Sequence, residues 1–240
     1  MRPACRRAFT QLELIMALGV FSLIVVLCAH LFTTSWQRFH ILNVVQDVKM
    51  SGIRGMEKFA DDFNETSTKY IMKKDDSSGN TMYICFPSRR KADGSVVIDK
   101  NSMSTIWRAW FIYYLIPAAS VSSGNLSATL EDGPGGKKEP LYYLVRKRKT
   151  IPASRSGDPS LDEINDINPE LATMVPVRTD PSNGATMGAE VCARNVTYFK
   201  VDTEHGGGTD TYKATLITYG TYNGRKCSSK AERSLLIQNI

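Results

Sequence analysis

The sequence predicts an α+β protein in which one long N-terminal helix packs on a mainly antiparallel β-sheet. Three observations carry that prediction. No proline stands between Pro3 and Pro87, so nothing forces an early helix stop. An apolar run from Leu14 to Phe32 passes into an amphipathic stretch that keeps helical spacing to Phe63. Beyond Asn64 the texture changes to short runs of β-branched and aromatic residues, separated by Gly, Asp and Asn turn signals.

Residues 1–8 form a short basic leader with Arg2, Arg6 and Arg7. The 19 residues from Leu14 to Phe32 include only Ser22 and His30 as clearly polar side chains. At 1.5 Å per residue such a helix covers about 28 Å, against a bilayer core of roughly 30 Å. Residues 9–32 therefore read as a membrane-spanning helix, with the arginines cytoplasmic and the remaining chain across. Glu13 is the only charged side chain between Arg7 and His30. A carboxylate at the edge of lipid is costly and calls for a partner. Two plainer readings share this segment. One is an uncleaved signal anchor. The other is a secretory signal peptide cut after Leu27-Cys28-Ala29, where Leu27 is a poor fit to the small residue wanted.

Ala8-Phe9-Thr10-Gln11-Leu12-Glu13 resembles the processing site of type IV pilins and type II secretion pseudopilins. The resemblance implies that a prepilin peptidase cuts between Ala8 and Phe9 and that the new Phe9 amine is methylated. Ala8 stands where Gly is usual, and Gln11 where an apolar residue is usual. The resemblance further implies a bacterial inner-membrane protein, single-pass with its head in the periplasm, which later enters a filament. Its partners would be other pilin-like subunits, the peptidase, an inner-membrane assembly platform and the lipid bilayer. The physics agrees: cleavage creates an α-amino group with a reference pKa of about 7.7–8.0, and Glu13 lies one turn away. Each charge can be neutralised by the other on an adjacent subunit, which makes Glu13 the expected subunit-assembly residue.

Residues 33–63 form the stem. Val45, Val48, Gly52, Met56, Phe59 and Phe63 follow a 3-4-4-3-4 spacing and make one stripe, expected to pack on the head. Gly52 and Gly55 each weaken a helix by roughly 1 kcal/mol against Ala, so a close approach of the sheet is expected there. Residues 64–240 form the head. Its expected strands are Thr81–Phe86, Ser95–Ile98, Thr105–Ile116, Leu141–Arg146, Asn195–Val201, Tyr212–Tyr219 and Ser234–Ile240. Residues 150–188 are rich in Pro, Asp and Ser, lack periodicity and read as a long excursion. Ile112-Tyr113-Tyr114-Leu115, Leu141–Arg146 and Asn195–Val201 are similar to strands of J-type minor pseudopilins and W-type minor pilins. That similarity implies a minor subunit near a filament tip that helps to start assembly.

Of five cysteines, Cys5 lies in the leader and Cys28 in the span, leaving Cys85, Cys192 and Cys227 in the head. Three thiols in an oxidising compartment allow one bridge and one left over. Cys192–Cys227 is the favoured pair, because it would clip the C-terminal region; three reduced thiols are the alternative. Loss of Arg2, Arg6 and Arg7 with the leader takes 30 basic residues to 27, against 24 acidic ones. The clusters Arg89–Lys91 and Arg146–Lys149 could touch DNA. A charged run at an exposed strand end more often guards a sheet edge, so nucleic acid is not an expected partner. Asp202, Glu204 and Asp210, and the patch Asp158, Asp162, Glu163 and Asp166, could hold Ca²⁺ through oxygen ligands. Neither has EF-hand spacing, and solvated turn acids are preferred, so no metal or cofactor is expected. The chain carries no nucleophile elbow, P-loop, dinucleotide fingerprint or HExxH, and no enzyme is expected. The competing function class is a monomeric, membrane-anchored periplasmic binding protein with an uncleaved signal anchor.

Overall fold

A computed structural model describes residues 10–66, 70–89, 107, 109–117, 141–150, 190–206, 209–222 and 225–237. The chain divides into two compact units, residues 1–44 and 45–240. Helix α1 runs Gln11–Phe63 without a break, 53 residues long. Its buried residues are Val48, Gly52, Gly55, Met56, Phe59, Ala60, Asp62 and Phe63. They trace the predicted stripe except at Val45, which is exposed. The Phe63 end is closed by the Asn64 amide, which donates to the Ala60 carbonyl at 2.9 Å.

The sheet of the second unit is an antiparallel meander in chain order: β1 Met72–Asp75, β2 Thr81–Ser88, β3 Ala109–Pro117, β4 Tyr142–Thr150, β5 Glu190–Gly206, β6 Thr209–Tyr222 and β7 Arg225–Leu236. This is the α+β arrangement the sequence predicts. Strand β3 is buried on both faces, which explains its uninterrupted apolar run. Its odd-numbered residues Phe111, Tyr113 and Leu115 face the stem, together with Ile84, Phe86, Leu144, Val196, Phe199 and Leu216. Its even-numbered residues Trp110, Ile112, Tyr114 and Ile116 form a second apolar cluster with Cys85, Tyr143 and Val145.

Phe59 is the centre of the stem contact. Its ring meets Tyr113, Phe199 and Phe86 edge-on, at centroid separations of 5.0, 5.5 and 6.1 Å. Full burial of this ring stabilises the docked stem by about 1.5–3 kcal/mol. The two stem glycines sit where the helix comes closest to the sheet. A Cβ on Gly55 would lie 2.8 Å from the Ala193 Cβ, and one on Gly52 would lie 3.0 Å from the Thr218 hydroxyl. That hydroxyl donates to the Val48 carbonyl at 2.9 Å.

The β1–β2 turn is held by Asp76, whose Oδ1 accepts the Ser78 and Asn80 amides at 2.9 and 2.8 Å. Gly79 supplies the left-handed residue at φ 85°. A second left-handed residue, Asn195 at φ 54°, accompanies the register shifts where β4 and β5 pair. That pairing ends at Tyr142 and Val196, yet β5 continues. On the edge it turns away from β6, its backbone at Phe199 and Val201 is met by side chains of the β1–β2 hairpin. Asn80 Oδ1 accepts the Phe199 amide, Thr81 Oγ1 accepts the Val201 amide, and Lys73 Nζ donates to the Val201 carbonyl at 2.6 Å. These contacts curl the sheet over the stem.

Three expectations need correction. Strand β1 was not foreseen, because Met72–Asp75 is short and highly charged. The last strand begins nine residues before Ser234 and stops at Leu236. Cys192 and Cys227 do not form a bridge: both are free thiols, on β5 and β7 with β6 between them. Strands are spaced roughly 4.8 Å apart, so two spacings exceed the Cα separation a disulfide tolerates. The expected strand Ser95–Ile98 and the excursion 150–188 lie outside the described residues.

Candidate functional site

The start of α1 is built from two residues. Thr10 precedes the first helical residue, and Glu13 is its acid in the first turn. The Glu13 carboxylate accepts from both the Thr10 amide and the Thr10 hydroxyl at 3.0 Å. The Glu13 amide in turn donates to the Thr10 hydroxyl at 3.4 Å. This is a reciprocal capping box, and its Thr-x-x-Glu signature was available in the sequence. Within this unit Glu13 thus has a local partner, made by a residue next to the predicted cleavage point. Ala8 and Phe9 lie outside the described residues.

From Leu12 to Leu42 the helix exposes nearly every large apolar side chain, including Leu14, Ile15, Phe21, Leu27 and Leu31. Two hydroxyls in this stretch are satisfied by the helix's own backbone. Ser22 donates to the Leu18 carbonyl at 2.8 Å, and Thr33 to the His30 carbonyl at 2.9 Å. Such internal satisfaction is what a lipid-embedded backbone requires. α1 is long and apolar enough to cross a membrane.

The second unit holds a polar cluster that sequence reading missed. Asp62, in the last turn of α1, carries a buried carboxylate into the contact with the sheet. Arg146 of β4 grips it with both arms of its guanidinium, Nε to Oδ2 at 2.5 Å and Nη2 to Oδ1 at 3.0 Å. The Tyr113 hydroxyl donates to the same Oδ2 at 2.5 Å and lies 3.2 Å from the Lys58 carbonyl. The guanidinium rests on the Phe111 ring, 4.2 Å from its centroid. Glu190 of β5 completes the ring of charges, facing Arg146 Nη1 at 3.4 Å and pairing with Lys58 through its other oxygen. Lys58 and Asp62, one turn apart, are thereby tied to β3, β4 and β5 at once.

The electrostatics follow from burial. Desolvation raises the Tyr113 hydroxyl well above its usual range, and the Asp62 charge adds to the shift. For Arg146 burial opposes the charge, but the hydrogen bonds to Asp62 outweigh it and the pKa rises. Burial, helped by Glu190, pushes the Cys192 thiol up to about 12, so it is an inert thiol rather than a nucleophile. Every partner in the cluster is engaged with another, and what the arrangement does is fix the stem. Sliding the helix by one turn would leave buried charges unpaired, at a cost of about 3–5 kcal/mol.

Arg146 therefore does not belong to a solvated edge run, as its sequence neighbourhood suggests. It lies in an interior strand, and alternation along β4 turns it toward the stem beside Leu144. The signal was present: a basic residue two positions after a core leucine shares its face. Among the described residues, no group of three or more His, Cys, Asp or Glu is placed to hold a metal. Asp202 is ion-paired with Lys200 at 3.0 Å. The patch Asp158–Asp166 lies outside the described residues.

The chain matches no family profile, no curated protein and no solved structure. A long N-terminal apolar helix on an antiparallel sheet is compatible with a pilin-like architecture.

Proposed function

We propose that this chain is the precursor of a minor pilin or pseudopilin, a structural subunit rather than an enzyme. After cleavage between Ala8 and Phe9 it joins a helical bundle of related subunits through the exposed apolar face of α1. Glu13 then exchanges its contact with Thr10 for the Phe9 amine of a neighbour, which sets the axial stagger. The J- and W-type similarity favours a place near the filament tip. The observation that carries the reading is one uninterrupted helix, lipid-like and exposed over its first half and core-packed at its far end, with a single acid at its start. Growth of such a bundle moves each head by its stem, and the Asp62–Arg146 cluster suits that mechanical load.

One observation favours the alternative of a monomeric membrane-anchored binding protein. The capping box gives Glu13 a use within its own chain. Mass spectrometry of the native N-terminus separates the two. A methylated Phe9 start is expected, and Glu13→Ala should leave membrane insertion intact while blocking incorporation into filaments. A native chain that begins at Met1 or Arg2, or a Glu13→Ala variant that assembles normally, overturns the proposal.

A further inference from the structure

At the end of the apolar span stands Phe32, and the otherwise polar segment that follows, Thr33-Thr34-Ser35-Trp36-Gln37-Arg38-Phe39-His40, carries two more large rings, Trp36 and Phe39. Phe32, Trp36 and Phe39 stand at i, i+4 and i+7, and each is more than half exposed. Phe32 stacks on Trp36 at 6.1 Å, and Trp36 meets His40 edge-on at 4.9 Å. The rings thus form one continuous stripe on the helix. Among the described residues of the first unit, nothing buries them.

We propose that this stripe is an interfacial girdle that binds the lipid headgroup layer on the side of the membrane where the head lies. The inference rests on the membrane-spanning reading above and adds a depth to it. The span ending at Phe32 already fills about 28 Å of a hydrocarbon core of roughly 30 Å. Trp36 then lies about 6 Å further along the axis, inside a headgroup layer of roughly 5–8 Å per side, and Phe39 about 10 Å further, at its outer edge. Trp is the residue suited to that layer, because its ring is apolar while its indole N–H can reach lipid carbonyls and phosphates. Arg38, between the two outer rings, can reach the phosphate plane with its charged end. A partner helix is a poorer occupant, since close helix packing in membranes selects small residues rather than stacked rings.

The test uses the full chain in phosphatidylethanolamine–phosphatidylglycerol vesicles whose acyl chains carry bromine either near the glycerol end or near the bilayer centre. Trp107 and Trp110 remain in place, and the difference between wild type and Trp36→Phe isolates the Trp36 emission. Flotation and resistance to alkaline extraction report insertion separately. The expected result is a floating, extraction-resistant protein whose Trp36 emission is lost to the shallow bromines and largely spared by the deep ones. A protein that floats but whose Trp36 emission is unaffected by either lipid overturns the girdle while leaving the membrane span intact. Strongest loss with the deep bromines also overturns it, by placing the ring in the core. Failure to float overturns the span and the girdle together.

Discussion

The two ends of one helix solve opposite problems. Between Leu12 and Leu42, α1 leaves its leucines, valines and phenylalanines about half exposed or more. Between Val48 and Phe63 it hides Met56, Phe59 and Phe63 almost completely. Helical propensity does not distinguish the two stretches; what differs is the partner each carries within its own unit. The far end meets a sheet folded from the same chain, so its apolar stripe is narrow and its other faces are polar. From Leu14 to Phe32 the near end is apolar on nearly every face, which suits a solvent of lipid or of like helices. The distinction is energetic as well, since substitutions at the far end should unsettle the head and those at the near end should not.

The largest test of that contrast is truncation of a ring. Phe59→Ala removes a fully buried side chain touching four other rings and should cost about 3–5 kcal/mol in denaturant unfolding of the full chain in detergent. Leu23→Ala, in the exposed stretch, should leave the same transition unmoved. Equal effects would mean that the span has a protein partner within the chain. The polar clamp comes next. Asp62→Ala leaves Arg146 half-buried beside Phe111 without its carboxylate, and a loss of about 3 kcal/mol is expected. Pairing Asp62→Leu with Arg146→Met should recover most of that loss in a double-mutant cycle, because the penalty lies in the orphaned charge. No recovery would assign the cost to Tyr113 and Glu190 instead.

How much of this was legible beforehand depends on how locally each feature is encoded. The helix was read almost to its ends, because its spacing, its missing prolines and its glycines all speak within one turn. Strands β2 to β6 were read from their aromatic and β-branched runs. Strand β7 was misplaced because, as the last strand of the meander, it turns only alternate small or apolar residues such as Ala231 and Leu235 inward. Its run Lys226–Ser234 carries no strong periodicity. The cysteine pairing failed for a topological reason, since the placement of β6 between β5 and β7 is not a property of any short segment. The clamp failed for a directional one. Counting charges along Arg146–Lys149 describes a patch, whereas a strand sends alternate residues to opposite faces. At the other end, Thr10 and Glu13 were legible as a capping box and as half of a processing motif, and only the second was read.

The smallest effect compares two glycines in the same helix. Gly19, in the apolar stretch, has nothing within 4 Å of where a Cβ would stand. Gly19→Ala therefore gains helix propensity, roughly 1 kcal/mol, at no steric cost. Gly55 gains the same propensity, but its new methyl would lie 2.8 Å from the Ala193 Cβ and 3.3 Å from the Cys192 carbonyl oxygen. One of these neighbours is backbone and the other a short, rigid side chain, so neither can swing away. Overpacking of this kind costs about 1–3 kcal/mol, so the net change should be a loss of up to about 2 kcal/mol. The head transition should fall with Gly55→Ala and stay put with Gly19→Ala. If Gly55→Ala is neutral, the stem can lift from β5 without penalty, and the tight seating argued from Asp62 and Phe59 does not extend up the helix.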